Sequence, residues 1–170
     1  MSKTLAILFT ITTYGTWTRG DARGWVDDGI VFPPDPILEV LDRERMKYPV
    51  FKIPKNQRLD AAQAIIDSLR DRLDLRVFAM CMQSWHSHFL TSASDVHVSD
   101  VVKCAKDAVR WKLRVGRPIW GADYDKRWCF DVSSVENRSR YVERHNLEDG
   151  LVAVPFAGVV KFVPPVIRSR

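Results

Sequence analysis

The sequence predicts an α+β fold, a four-stranded antiparallel sheet with helices on one face and one more helix after it. Three observations predict this. Short apolar runs of strand type recur at residues 5–13, 74–82, 86–93 and 127–132. One amphipathic helical stretch separates the first run from the second, and another separates the third from the fourth. The 170 residues, 46% apolar and 28% charged, suit one domain with a real core, not a disordered, coiled-coil or collagen-like chain. The order β, helix, β, β, helix, β is that of the split βαβ, or ferredoxin-like, plan. That plan hosts many functions and implies none.

Each element has its own local reason. LAILFTITT (5–13) ends in alternating apolar residues and threonines, a strand pattern. Residues 14–29 hold four Gly, two Trp, a Tyr and two Arg, and are expected to be loop. The proline-rich stretch 31–55 has room for one short helix near Ile37–Met46. In NQRLDAAQAIIDSLRDRL, Leu59, Ala62, Ile66, Leu69 and Leu73 repeat at helical spacing and form a core-facing stripe. DLRVFAMCM reads as a buried strand, QSW as a turn and HSHFLTSA as the next strand. A helix over Val98–Val115 places Val98, Val101, Val102, Ala105, Val109 and Leu113 on one stripe. RWCFDV (127–132) is the fourth strand. Ser133-x-x-Glu136 forms a capping box that opens a last helix, which Gly150 closes. The final twenty residues, with three prolines and a basic end, are expected to form an extended tail.

Composition narrows the class further. Lys and Arg number 26 against 21 Asp and Glu, a net charge of +5, which is compatible with nucleic acid but weak evidence for it. No apolar run reaches the ~18–20 residues a membrane span needs, and the apolar N-terminal run lacks a cleavage site. Three cysteines without close spacing point to a reducing, cytoplasmic setting. Cys81, Cys104 and Cys129 lack Cys-x-x-Cys spacing, so they read as small buried hydrophobes in preference to a zinc site with His86. His97, ahead of a helix start, reads as a local cap or a solvent-facing residue.

Chemistry concentrates in two segments. In SWHSHFL, His86 and His88 are i and i+2 on a strand and share a face about 7 Å apart. Two such imidazoles can each give a nitrogen to one divalent metal, or they can be hydrogen-bonded within the sheet. In SSVENRSRYVERHNLEDG only Val135, Val142 and Leu147 are apolar aliphatics, so the helix either covers a site or lies on the surface. Tyr141 and His145 stand one turn apart on it. A third imidazole beside a phenol is what a metal-assisted tyrosine nucleophile requires. The alternative is a surface helix whose Tyr packs on the domain.

On these residues the sequence resembles the single-tyrosine HUH transposases, and among them the REP-associated tyrosine transposases. SWHSHFL is similar to the family's His-hydrophobic-His motif, and SRYVERHNLEDGLV to its nucleophile helix. TYGTWTRGDARGWV and IWGADYDKRWCFD are similar to segments of many members. The likeness spans about residues 5–151, implying a single HUH transposase-like domain over 1–151 and a tail over 152–170. Three positions depart from the pattern: Ser87 replaces the usual hydrophobic residue, His145 the usual Asn or Gln, and Asn146 the usual Pro.

The resemblance implies metal ligation by His86, His88 and His145, with Mg²⁺ or Mn²⁺ as the ion and Tyr141 as nucleophile. It also implies cleavage and rejoining of single-stranded, hairpin-containing DNA through a 5′-phosphotyrosine, and a homodimer. Two groups of residues are expected to contact DNA. Lys103, Lys106, Arg110 and Arg114 form an acid-poor stripe on one helix, suited to phosphates. Tyr14, Trp17, Arg19 and Arg23 lie in the loop after the first strand, where aromatics stack on bases and Arg meets phosphates. The alternatives are a non-catalytic, domesticated nucleic-acid-binding module and, more weakly, a phosphodiesterase that uses water in place of Tyr.

Overall fold

The structure, a computed structural model, describes residues 3–27 and 30–164. Its main sheet has four antiparallel strands in the order β4 (Val77–Met82), β5 (His86–Ser92), β1 (Ala6–Thr13), β6 (Trp120–Cys129). α2 (Arg58–Leu73) connects β1 to β4 after an inserted segment, and α3 (Val98–Leu113) connects β5 to β6. This is the expected split βαβ arrangement. Period-2 alternation along β1 sends Ile7, Phe9 and Ile11 to one face and Ala6 and Leu8 to the other. α2 and α3 cover the first face, burying Ile65, Ile66, Leu69, Val102, Ala105 and Val109.

The second face belongs to α4 (Val132–Glu148). Val135 and Val142 pack there against Leu8, Phe78, Leu90 and Cys129. All three cysteines are buried and free. The sheet is therefore covered on both sides, and whatever β5 presents toward α4 is enclosed between strand and helix.

Several elements differ from the sequence expectation, each for a physical reason. The fourth strand runs 120–129 instead of 127–132. As an edge strand paired only with β1, it accommodates Gly121, Asp123 and Asp125, which hide the alternation. Asp131 caps α4, its carboxylate accepting from the Ser134 amide at 2.7 Å, so Ser133 lies inside the helix and opens no capping box. The stretch expected to be all loop contains β2 (Trp25–Asp27), which pairs with β3 (Ile30–Phe32). α1 (Pro36–Glu44) fills the proline-rich insertion. Leu59 is exposed, and Ala61 and Ile65 take its place in the α2 stripe. Leu147 on α4 is likewise exposed, and Asn146 is buried in its stead. α3 stops at Leu113 because Arg114 turns left-handed at φ 51°.

Past α4 the chain forms no further named element among the described residues, but it is not detached. Phe156 is buried, Phe162 packs edge-on against Phe78, and Val159 bridges Val77 on the β4 edge. No helix among the described residues is long and apolar enough to cross a membrane.

Candidate active site

The α4 side of β5 carries His86, His88 and Leu90, while Ser87 and Phe89 face α2 and α3. Leu90 enters the apolar core, and the two imidazoles lie beyond its edge, only 4% and 7% exposed. Strand register fixes their neighbours: Thr10 of β1 stands opposite His88, and its hydroxyl lies 2.8 Å from His88 Nδ1. Ser87 donates to the Cys81 carbonyl at 2.8 Å, so this buried hydroxyl is satisfied behind the strand.

α4 supplies the rest. Val135, Val142 and Asn146 form the stripe that seats the helix on the sheet. Asn146 Nδ2 donates to the Met80 carbonyl and to the Ala153 carbonyl, both at 2.9 Å, which fixes the helix against β4 and the segment after it. One step round the helix, Tyr141 and His145 reach over β5. The Tyr141 hydroxyl lies 3.3 Å from His88 Nε2. The ring centroid of His145 is 5.4 Å from that of His86 and 5.0 Å from that of His88.

One nitrogen from each of His86, His88 and His145 falls within a common 4.8 Å. His86 Nδ1 and both nitrogens of His145 are buried without a hydrogen-bond partner. Unpaired buried polar atoms are costly, and a cation among them removes that cost. Burial pushes His86 down to about 4 and His88 to about 3, and lowers His145, with neighbouring imidazoles adding to the effect at His86 and His88. All three are therefore neutral at pH 7, with lone pairs free for a metal. Burial also raises the Tyr141 phenol above its ordinary value of 10.

The site opens into a cleft of about 470 Å³. His86, His88, His145 and Tyr141 line it, together with Asp125 and Arg127 of β6, which pair with each other at 2.8 Å. Trp17, Val26 and Trp85 complete the lining. The Trp85 ring sits 4.0 Å, centroid to centroid, from that of His86. Trp85 and Thr10 were not singled out from the sequence, and Asn146 only as a departure from the family's Pro. Trp85 adjoins His86 in SWHSHFL, and that adjacency was the available signal.

The other residues named from sequence are scattered. Trp17 lines the cleft. Arg23 stacks over Trp17 and Trp85 at 5.1 and 4.7 Å, while Asp21 holds its guanidinium at 2.7 Å. Arg19 pairs with Asp42 of α1. The Tyr14 hydroxyl accepts from the Lys47 amide, and its ring faces Tyr48, outside the cleft. Lys103, Lys106 and Arg110 ride on α3, across the sheet from the imidazoles, and Arg114 caps its end. Lys103 pairs with Asp107, and Lys106 donates to the carbonyls of Gly121, Ala122 and Asp123. Lys103, Lys106 and Arg110 border a separate groove against Trp120 and Tyr124. His97 caps α3, with Nδ1 2.7 Å from the Ser99 hydroxyl.

No protein-family model matches the chain, and no curated protein is similar to it. Among solved structures, a REP-associated tyrosine transposase bound to a REP hairpin is 16% identical, with a TM-score of 0.51. The match covers 88% of this chain and 71% of that one. A Deinococcus radiodurans R1 protein, provisionally described as a transposase, is 15% identical over 85% of this chain and 93% of its own, with a TM-score of 0.42. The first of these likenesses shows a shared fold.

Proposed function

We propose that the chain is a transposase-type enzyme that cleaves and rejoins single-stranded DNA through a covalent 5′-phosphotyrosine. One observation carries the reading: a tyrosine hydroxyl lies 3.3 Å from one of three neutral, clustered imidazoles, at a cleft of about 470 Å³. The solved neighbour with this fold is bound to a REP hairpin, which supports hairpin DNA as the substrate class.

The donor set fits a divalent ion, because His86, His88 and His145 bring one nitrogen each within a common 4.8 Å, and buried nitrogens of His86 and His145 make no hydrogen bond. Bound there, such an ion supplies Lewis-acid polarisation of the scissile phosphate. Three imidazoles without a carboxylate suit Mn²⁺ better than Mg²⁺, which prefers oxygen ligands. Thr10 orients the His88 ring through Nδ1, and Asn146 holds α4 so that Tyr141 faces the cleft. The Tyr141 oxygen attacks phosphorus in line, the bond from phosphorus to the 3′ oxygen breaks, and the phenol proton passes through water to that oxygen, leaving a 3′ hydroxyl. Rejoining reverses the step: a 3′ hydroxyl attacks the phosphotyrosine and frees Tyr141. The number of phosphate ester bonds is unchanged, so no nucleotide cofactor is consumed. Two copies of the chain supply the two tyrosines that exchange of two strands requires.

The test is covalent capture with Mn²⁺ and 3′-labelled single-stranded oligonucleotides that include hairpins from the flanking genomic sequence. The expected result is label that travels with the protein through a denaturing gel, and that disappears in Tyr141→Phe while DNA binding persists. Nicking by Tyr141→Phe would instead favour attack by water. Binding without cleavage across the pool would favour a non-catalytic binding module.

A further inference from the structure

Two tryptophans line the cleft, and both are held in place. The Trp17 indole N–H donates to the Gly24 carbonyl at 2.9 Å, which fixes that ring in the loop after β1. The start of the loop is tied to Trp85, whose carbonyl accepts from the Thr13 amide at 2.7 Å and from the Thr13 hydroxyl at 3.2 Å. The two rings stand 6.0 Å apart, centroid to centroid, inclined at 57°. Arg23 braces both, its guanidinium 5.1 Å from the centre of Trp17 and 4.7 Å from that of Trp85. That guanidinium donates to the buried Asp21 carboxylate and to the Thr16 carbonyl. Trp17 and Trp85 line the cleft, and Arg23 does not. A ring so firmly held belongs in a core, yet Trp17 remains 39% exposed beside the imidazoles.

We propose that Trp17 and Trp85 form a stacking site for one unpaired base of the DNA strand, next to the nucleotide whose phosphate faces Tyr141. This inference rests on the proposed DNA substrate, but not on the chemistry at Tyr141. Its place along the strand follows from Trp85, whose ring is 4.0 Å from that of His86, so a base held there belongs to a nucleotide beside the imidazoles. Charge leaves the grip to stacking: Arg127 is the one arginine or lysine in the lining, and Asp125 pairs with it. An aromatic face accepts any base, so the site selects for strandedness more than for sequence. Bases inside a duplex are stacked on one another and turn no face to the protein, so only an unpaired nucleotide enters. Rings already fixed by Gly24, Thr13 and Arg23 lose little freedom when a base arrives.

The test is equilibrium binding of hairpin oligonucleotides that carry 2-aminopurine at successive positions of their single-stranded flanks. It uses Tyr141→Phe without added metal, so no cleavage is needed. Stacking quenches 2-aminopurine, and quenching is expected at one flank position, and to vanish when that flank is paired with its complement. Trp17→Ala is expected to abolish the quenching and to weaken binding about tenfold, and Trp17→Phe to keep most of both. An abasic nucleotide at the same position is expected to weaken binding by a similar factor, with no further loss in Trp17→Ala. That arm changes the DNA alone, so it holds even if a variant is poorly folded. Trp128→Ala, an exposed tryptophan on the sheet face opposite the imidazoles, is expected to change nothing. Flank fluorescence that is unchanged at every position overturns the proposal, whether or not the wild type forms a covalent adduct. An abasic penalty that persists undiminished in Trp17→Ala overturns it as well. Quenching in a chain that never forms an adduct upholds the stacking site and removes the proposed chemistry.

Discussion

His88 is constrained on both sides of its ring, by the Thr10 hydroxyl at Nδ1 and by Tyr141 at Nε2. His86 and His145 have no such partners. The site therefore has one oriented imidazole and two with buried nitrogens that make no hydrogen bond, the Glu148 carboxylate standing 3.7 Å from His145 Nδ1, and a cation contributes most in such a setting. His86→Ala is expected to weaken Mn²⁺ binding about 100-fold, since it would delete one of the three proposed ligands. Titration calorimetry reads this without any DNA present. Equal Mn²⁺ affinity in the variant and the wild type would remove His86 from the ligand set. The same titration is expected to rank Mn²⁺ above Mg²⁺.

At the scale of elements, α4 is a mostly polar helix held by very little. Val135 and Val142 supply its apolar seat, and Asn146 supplies two hydrogen bonds that reach β4 and the segment after the helix. Removing that amide leaves the buried Met80 carbonyl and the half-buried Ala153 carbonyl without this donor. Asn146→Ala is expected to cost about 1–3 kcal/mol in urea unfolding. It is also expected to lower covalent capture by more than it lowers DNA binding, because Tyr141 and His145 move with the helix. The insertion between β1 and α2 is the other element with its own logic. Gly20 and the Arg19–Asp42 pair hold α1 close against the loop, so the segment that looks irregular in sequence is fixed in place.

For the molecule as a whole, burying neutral histidines makes stability depend on pH. The unfolded chain takes up protons at the ordinary histidine value of 6.5, whereas folded His86 and His88 resist until about 4 and about 3. Between these limits the unfolded state binds more protons, so stability is complete above 6.5 and falls as pH drops toward 4. Each histidine contributes up to about 1.4 kcal/mol per pH unit within that window. Urea midpoints of the metal-free protein at pH 7, 5.5 and 4.5 are expected to fall in that order, and less steeply in a His86→Gln, His88→Gln double variant. Below this window the lowered Asp21 and Asp42, held down by Arg23 and Arg19, add a further loss as they protonate.

Much of this was legible in sequence because it rests on short-range rules. Strand alternation in LAILFTITT, helical spacing in the α2 and α3 stripes, and the i, i+2 and i, i+4 spacings of His86, His88, Tyr141 and His145 are local, and each reappears in the fold. What local rules leave open is which face meets which. α4 lies on the sheet face opposite α2 and α3, so the four site residues converge while the α3 lysines and arginines lie across the sheet from them. Arg19 and Arg23 look like free cations in sequence, but folding pairs them with Asp42 and Asp21. β6 gave little signal because an edge strand needs no continuous apolar pattern. Trp85 gave only its place beside His86, and Asn146 only its departure from the family's Pro, because the carbonyls that Asn146 holds are reached through the fold. Periodicities of 2 and 3.6 residues made the core strands, α2, α3 and the reactive groups legible in the chain. Which of those groups share a cleft was settled in three dimensions, because burial and strand register act between segments that are remote in sequence.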